Sequence, residues 1–578
     1  MMPSEDFKPK LGRIRDSGRA KAIRHTTQVV EEVSRNVVRP LRRRGHINPN
    51  ALRRGLASGV VAATGSFAPG TRRVVVRARY VRMTKTNLGP AHAHLRYILR
   101  DGTTREGLPG QLYDAIGPAD AEAFLSRSEN DPHQFRFIVA PEDSARLAGQ
   151  EPVIRDLMKQ MEADLGTKLD WVAVDHFNTG HPHTHVVVRG RDERGQDLIM
   201  ARDYISHGIR GRMQDLVTLE LGPETELERI ARQTNEIGQE RMTGLDRGLL
   251  TRATGSVLVV ASSPIDPQRH AIMVGRLRKL ESLGLAKEQR IGVWTFDAEI
   301  EPKLRQLGDR ADKIKMMQRA LDTVGLERSP GTYAIFDRGT RKEPLLGKVV
   351  GTGLVDEISD RSWLVVDATD GRVHYVEAGR LKPESVPARE AIVRIVPDRL
   401  TGKPLATPRI EVLADPAVRA GPDYDGPLWL DRIVASLDPS MQSRAGFGAA
   451  LSRDLAARKE WLAAQDLGRF TKDGTFELRT SAATQLQQRE HNRIGAEIAA
   501  KTGAAYVPSV SGTQARGVVG ETIATPTAKL VVIRRDTELT VVPWSKALER
   551  HRGREIAGIV TPHQLMIGRN RARPGLER

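Results

Sequence analysis

Asp175-His176-Phe177-Asn178-Thr179-Gly180-His181-Pro182-His183-Thr184-His185 is the stretch on which the reading of this chain turns. Four of the 15 histidines fall inside it, and Val-rich segments flank it from Lys168 to Val174 and from Val186 to Arg189. The Asn178–Pro182 loop is of hairpin length, so the stretch predicts strand, loop, strand in an antiparallel sheet. On a strand, residues two apart share a face, so His183 and His185 project together. His176 ends the preceding strand on the face of Val172 and Val174, and hairpin pairing sets it beside the other two. Three imidazoles converging with coordination positions left over have the layout of a catalytic metal site rather than a closed structural one. Such a site suits a divalent ion, Mg²⁺ or Mn²⁺ with phosphate present and Zn²⁺ as well, and ligand softness does not choose between them. A lone histidine is more often structural than ligating; three at this spacing reverse that preference. His181, before proline in the loop, is read as non-ligating.

Working outward, the neighbouring segments complete an α+β pattern with a mostly antiparallel sheet. Arg72–Met83 and Gln134–Ala140 read as strands. Pro118–Ser128, Pro152–Leu165 and Arg202–Leu221 read as helices. Another helix starts at Pro90 and runs to Arg100. Within it Ala91, Leu95, Ile98 and Leu99 make the apolar stripe, and Tyr97 lies ~145° from the stripe's centre. A tyrosine turned off the core on a basic stretch invites a role at phosphate, although a surface tyrosine that merely packs is the commoner case. Tyr204 is the competing tyrosine, and Tyr80 and Tyr113 rank below it.

Composition narrows the partner. The 578 residues include 90 Lys+Arg against 72 Asp+Glu, a formal charge of +18, and no cysteine. Disulfides, Cys-ligated zinc or iron–sulfur sites and a cysteine nucleophile are therefore excluded. The first 100 residues hold 22 basic and 5 acidic side chains, so +17 of the charge gathers ahead of and around Tyr97. A polyanion, nucleic acid first, is the expected partner, with a solvated arm as the blander account. No apolar run approaches the roughly 18–20 residues that span a bilayer, so no membrane insertion is expected.

Five segments follow from texture. Residues 1–70 read as a basic mobile arm with helix around Thr26–Arg39, and 71–225 as the α+β domain. Residues 226–340 suggest a winged-helix region, since a helix at Arg269–Leu283 precedes a hairpin at Gly292–Asp297; Arg276 and Lys279 are read as its exposed DNA contacts. Residues 341–400 suggest a small β-barrel-like module, with turn signals at Gly351-Thr352-Gly353 and Asp370-Gly371. Residues 401–578 read as mainly helical with a basic tail.

The motifs together resemble the HUH-type relaxases, the conjugative mobilization nucleases, and among them the P-type branch that includes the T-DNA border endonuclease. His94-Leu95-Arg96-Tyr97-Ile98-Leu99-Arg100-Asp101-Gly102 looks like that family's nucleophile motif. His176-x6-His183-x-His185, with Pro182 before the pair, looks like its metal motif. Phe135–Pro141 is similar in position to the middle motif, but Ala140 stands where a serine is usual, so no catalytic role is carried onto it. Phe177–Gly180 lacks the acidic residues many relatives have there. The sharp likeness covers about residues 71–225, and the remainder is similar in outline to the long C-terminal extension of a subgroup.

The resemblance implies a relaxase domain with Tyr97 as nucleophile and His176, His183 and His185 holding a divalent metal. Arg72, Arg73, Arg96 and Arg100 would then contact DNA. It implies nicking of one strand at an origin of transfer, leaving a 5′-phosphotyrosyl adduct on single-stranded DNA. Accessory relaxosome proteins and a type IV secretion coupling protein would be partners. The place would be the bacterial cytoplasm, with transfer to the recipient cell on the DNA, and the tail Arg569–Arg578 resembles Arg-rich secretion signals. Two alternatives remain. A rolling-circle replication initiator shares the metal geometry but commonly places its tyrosine after the histidines. A metal-dependent phosphohydrolase or plain DNA-binding protein would need no tyrosine.

Overall fold

In the computed structural model the described residues are 70–83, 89–99, 104, 108–177, 182–260, 266–337, 341, 343–356, 361–381, 385–397, 399–400, 403–404, 407–434, 445–561 and 564–567. The expected helix at Thr26–Arg39, the basic arm and the basic tail lie outside them. The chain is mixed α and β, and it divides into two compact units, Met1–Ile300 and Glu301–Arg578.

The first unit is built on four antiparallel strands, β1 (Val74–Arg82), β2 (His133–Pro141), β3 (Leu169–His176) and β4 (His183–Asp192), in the order β1-β2-β4-β3. Helices α1 (Gly89–Ile98), α2 (Ala121–Arg127), α3 (Gln150–Leu165) and α4 (Ile209–Leu221) cover it. On one face Trp171, Ala173, Val186 and Val188 pack with Phe135, Phe137 and Val139 against α3 and α4. On the other, Val172, Val174 and Val187 pack against Ala91, Leu95 and Ile98 of α1 and Phe124 and Leu125 of α2. Burial on both faces explains why β3 and β4 are apolar at successive positions instead of alternating. Each buried valine or leucine contributes roughly 1.5–3 kcal/mol, so the hairpin is held from two sides. The edge strand β1 carries Arg77, Arg79 and Arg82, charges of the kind that guard an open edge.

The unit continues with α5 (Glu226–Ile237), α6 (Gly244–Arg252), β5 (Val257–Val259), α7 (Pro267–Ser282) and the hairpin β6 (Ala286–Arg290) and β7 (Val293–Phe296), the strands ordered β5-β7-β6. Thr225 and Thr243 start α5 and α6 with capping boxes completed by Glu228 and Asp246. Residue 225 is not a physical break. Arg72, only 2% exposed, pairs with Asp143 at 2.9 Å and Glu228 at 3.3 Å and donates to the Gly222 carbonyl at 2.7 Å. It clasps β1 to the chain between α4 and α5.

The second unit opens with α8 (Ile300–Thr323). A six-stranded sheet follows, from β8 (Tyr333–Ile335), β9 (Leu345–Asp356), β10 (Arg361–Ala368), β11 (Val373–Gly379), β12 (Ile392–Val396) and a last strand at Arg409–Ala414. This corrects the expected barrel: the order runs from Arg409–Ala414 through β12, β9, β10 and β11 to β8, and these two outer strands do not pair among the described residues. Closure needs that pairing. Gly351-Thr352-Gly353 is not a turn but mid-strand in β9. A Cβ at Gly353 would stand 2.8 Å from the Trp363 ring, so the glycine makes room for the indole. Asp370-Gly371 does turn, between β10 and β11, with Gly371 at φ 78°.

The region expected to be mainly helical has two long helices, Gly446–Ala464 and Ala482–Thr502, but then a second six-stranded sheet between Ala505 and Ile567. Its Lys529–Arg535 and Glu538–Pro543 strands are again buried on both faces. Val531, Ile533 and Val542 pack on one side, and Leu530, Val532, Leu539 and Val541 pack under Ile494 on the other.

Candidate metal centre

The antiparallel register puts His176 directly opposite His183 and Val174 opposite His185. The three rings share the α1 face of the sheet, with centroids 5.3 Å apart for His176–His183, 4.4 Å for His176–His185 and 5.0 Å for His183–His185. One nitrogen from each lies within 4.8 Å of the others, and all three residues are buried. His181 lies outside the described residues. The fit to a metal is testable by distance. Nε2 of His183 and Nε2 of His185 are 3.2 Å apart. Ligand bonds of about 2.0–2.1 Å demand nitrogen spacings near ~3.3 Å in a tetrahedron and ~3.0 Å for adjacent octahedral positions. The pair therefore suits either geometry, and neutral imidazole suits the ion.

His176 supplies the link that sequence reasoning missed. Its Nε2 lies 2.7 Å from the Ile98 carbonyl oxygen, in the last turn of α1. Carbonyls there have no partner within the helix, so one is free to accept from the ring. A donated N–H of this kind fixes tautomer and orientation of a metal-binding histidine and leaves Nδ1 as the other ring nitrogen. The signal was the adjacency of Ile98 to Tyr97, but only packing shows which residue reaches the carbonyl. A fourth buried histidine, His94 of α1, sets its ring 6.3 Å from that of His185.

Tyr97 lies in α1 between Arg96 and Ile98. Its side chain lies outside the described residues, as does Arg100. Two of the competing tyrosines, Tyr204 and Tyr113, are occupied. Tyr204 is 1% exposed, donates to Asp164 at 2.9 Å, and burial pushes its pKa up, away from a phenolate. Tyr113 is likewise buried and raised, and donates to Asp175 at 2.9 Å. Asp175 faces away from the histidines. It accepts from Tyr113 and Thr184, and burial holds its carboxyl above the usual range. Its role is to lock the hairpin from behind.

The arginines expected at DNA divide. Arg96 is exposed and carries no ion pair among the described residues. Arg73 is part-exposed and pairs with Glu236 at 3.3 Å, and Lys279 pairs with Glu240 at 2.8 Å on the surface. Arg72 is spent on the clasp described above, which corrects its assignment to DNA. Arg276 is corrected more sharply. It is fully buried, makes two 2.7 Å bonds to Asp246, and donates to carbonyls of Glu236, Ile237, Gln239 and Arg241. Those are the orphaned acceptors at and beyond the end of α5, and a buried guanidinium satisfies them.

A family profile described as a protein of unknown function (DUF3363) matches residues 273–406 and 399–573, just over half of the chain. The chain belongs to that family. The match begins inside α7 and leaves α1, β3 and β4 outside, so it covers none of the three histidines. No curated protein and no solved structure matches the chain.

Proposed function

We propose that the first unit is an HUH-type relaxase that nicks one strand of single-stranded origin-of-transfer DNA. The observation that carries the reading is the His176–Ile98 contact, which ties the three-histidine cluster to the helix bearing Tyr97. In the proposed step the Tyr97 phenolate attacks the scissile phosphorus. The bond to the 3′ oxygen breaks, and that oxygen takes a proton from solvent to balance the one the phenol has given up, leaving a 5′-phosphotyrosyl link and a free 3′ hydroxyl. The number of phosphate ester bonds is unchanged, so the step can run backward and rejoin ends after transfer. A divalent ion held by His176, His183 and His185 would polarise the phosphate and offset charge on its oxygens. The Ile98 carbonyl orients one ring, and Arg96 offers a cation to the backbone.

The wider reading adds accessory relaxosome proteins, a type IV coupling protein, and cytoplasmic action with transfer on the DNA. It also takes the part of the expected winged-helix region 226–340 that lies in the first unit, residues 226–300 with three helices and a hairpin, as a winged-helix module. No helix among the described residues is long and apolar enough to cross a membrane.

The test is a labelled single-stranded oligonucleotide from the protein's own element, incubated with Mg²⁺ or Mn²⁺ and run under denaturing conditions. A protein–DNA adduct that disappears in Tyr97→Phe is expected, and cleavage without any adduct would sink the reading. His183→Ala should abolish both nicking and the Mn²⁺-induced rise in melting temperature. Full metal response in that variant would remove the histidines from the site.

A further inference from the structure

We infer that residues 226–300 carry a second nucleic-acid surface, which takes duplex DNA and uses none of the elements of the histidine centre. The inference rests on the reading that this protein acts on DNA, but not on the chemistry of Tyr97.

Helix α7 turns Ile272, Leu277 and Leu280 into the module and withdraws Arg276 with them. Gln268, Arg269, Ala271, Arg278 and Ser282 stay exposed. Only Leu283, Gly284 and Leu285 join α7 to β6, and Arg278 reaches across to Glu288 and over the Trp294 ring at 5.0 Å. Helix and hairpin therefore run antiparallel. From Arg278 back to Arg269 is about 14 Å along the helix axis. From Glu288 to the hairpin turn is about 7–10 Å in the same sense. Val260, just after β5, donates to the Gly292 carbonyl at 2.7 Å, which ties β5 to the hairpin turn. Gly292 sits at φ 74°, and a Cβ there would stand 2.7 Å from the Val260 carbonyl, so the turn is held tight against β5.

Cations without acidic partners collect at that end. Arg269, on the first turn of α7, and Arg290, beside the hairpin turn, are exposed and form no ion pair among the described residues. Arg252 of α6, exposed and equally unpaired, rests Nη1 3.1 Å from the sulfur of Met273, one turn along α7 from Arg269. Ile291, 99% exposed, caps the hairpin between Arg290 and Gly292. The nearby acids are engaged elsewhere: Asp246 by Arg276, Glu240 by Lys279, Glu281 and Glu288 by Arg278. Asp266 accepts from the Arg269 amide as the α7 N-cap.

The form of the partner follows from shape and from missing rings. A helix about 10–12 Å across flanked by a hairpin with Ile291 exposed at its turn matches a major groove ≈ 12 Å wide and its adjoining backbone. A single-strand platform would need exposed aromatic faces for stacking. Here Trp294 is 1% exposed with Arg278 over its ring, and Phe296 is 7% exposed. The surface offers charge and shape, which suit a duplex.

The test uses the full chain and a labelled duplex of roughly 30 base pairs, with its unpaired strand as control, followed by fluorescence anisotropy across a salt series. R269E/R290E should weaken duplex binding about tenfold or more and lower the salt slope by about 2, at roughly 0.9 per lost phosphate contact. Single-strand binding and adduct formation should stay as they were. R269Q/R290Q, melting like the parent, guards against a folding defect and should show the same pattern more weakly. Unchanged duplex affinity and slope in the folded variants would overturn the inference, as would equal losses for both probes. So would a failure to bind duplex at all, which would leave an acidic protein as the patch's partner. Adduct formation on a short single strand is read separately, so the proposed nicking can fail without this surface and this surface without it.

Discussion

His491 shows how much one ring can report. It is 4% exposed in a helix of the second unit, its Nε2 has no hydrogen-bond partner among the described residues, and burial holds its pKa down to about 4. The unfolded chain takes up that proton near pH 6.5. Between about pH 6.5 and 4 the unfolded state thus binds more protons, and stability falls as pH falls through the window. Above it the contribution is fully present. From pH 7 to pH 5 the fold should lose about 2 kcal/mol through this group. His491→Leu should remove that slope in urea unfolding, and an identical pH dependence in the variant would show that the imidazole does not titrate there. Neighbouring Glu490, raised by its own burial, pulls in the opposite sense and is common to both proteins. At this scale the three-histidine cluster was legible, because strand period alone puts His183 and His185 on one face. Arg72 and Arg276 were not, since nothing local distinguishes an arginine at the surface from one turned inward onto carboxylates and helix-end carbonyls.

At the scale of elements, α7 is anchored by Arg276 as well as by its apolar stripe of Ile272, Leu277 and Leu280. Removing one partner of a buried, hydrogen-bonded pair typically costs about 3–5 kcal/mol because the other is left charged and dry. Arg276→Met should therefore destabilise the first unit by that order. Arg276→Lys should not restore it, since an ammonium cannot serve Asp246 and four carbonyls together. Urea unfolding checks both, and a loss below 1 kcal/mol in each would contradict the anchoring role. Helix starts were readable where the caps are chemical: Asp266-Pro267 opens α7 as its residues suggest. Strands hidden on both faces were harder to read. Lys529–Arg535 and Glu538–Pro543 lack alternation, and the glycines of β9 imitate a turn while serving Trp363.

For the whole molecule, the charge distribution makes its own prediction. Residues 1–69 hold 14 Lys+Arg and 5 Asp+Glu. Deleting them should flatten the salt dependence of single-strand binding by several units, at about 0.7 per phosphate contact, while adduct formation at saturating DNA persists. An unchanged slope would mean that the arm makes no contact with the strand. The family match lies mostly in the second unit and the histidine cluster in the first.

The sequence by itself determined that three imidazoles meet: a two-residue spacing and a short loop leave the hairpin little choice. It also determined that an excess of positive charge precedes Tyr97 along the chain, and that cysteine chemistry is absent. Only the tertiary structure decided which arginines face solvent, which carbonyl orients His176, and that the outer strands of the sheet holding β8 do not pair among the described residues. Those outcomes depend on partners far apart in the chain, Arg72 with Glu228 or Ile98 with His176, and local periodicity carries no record of them.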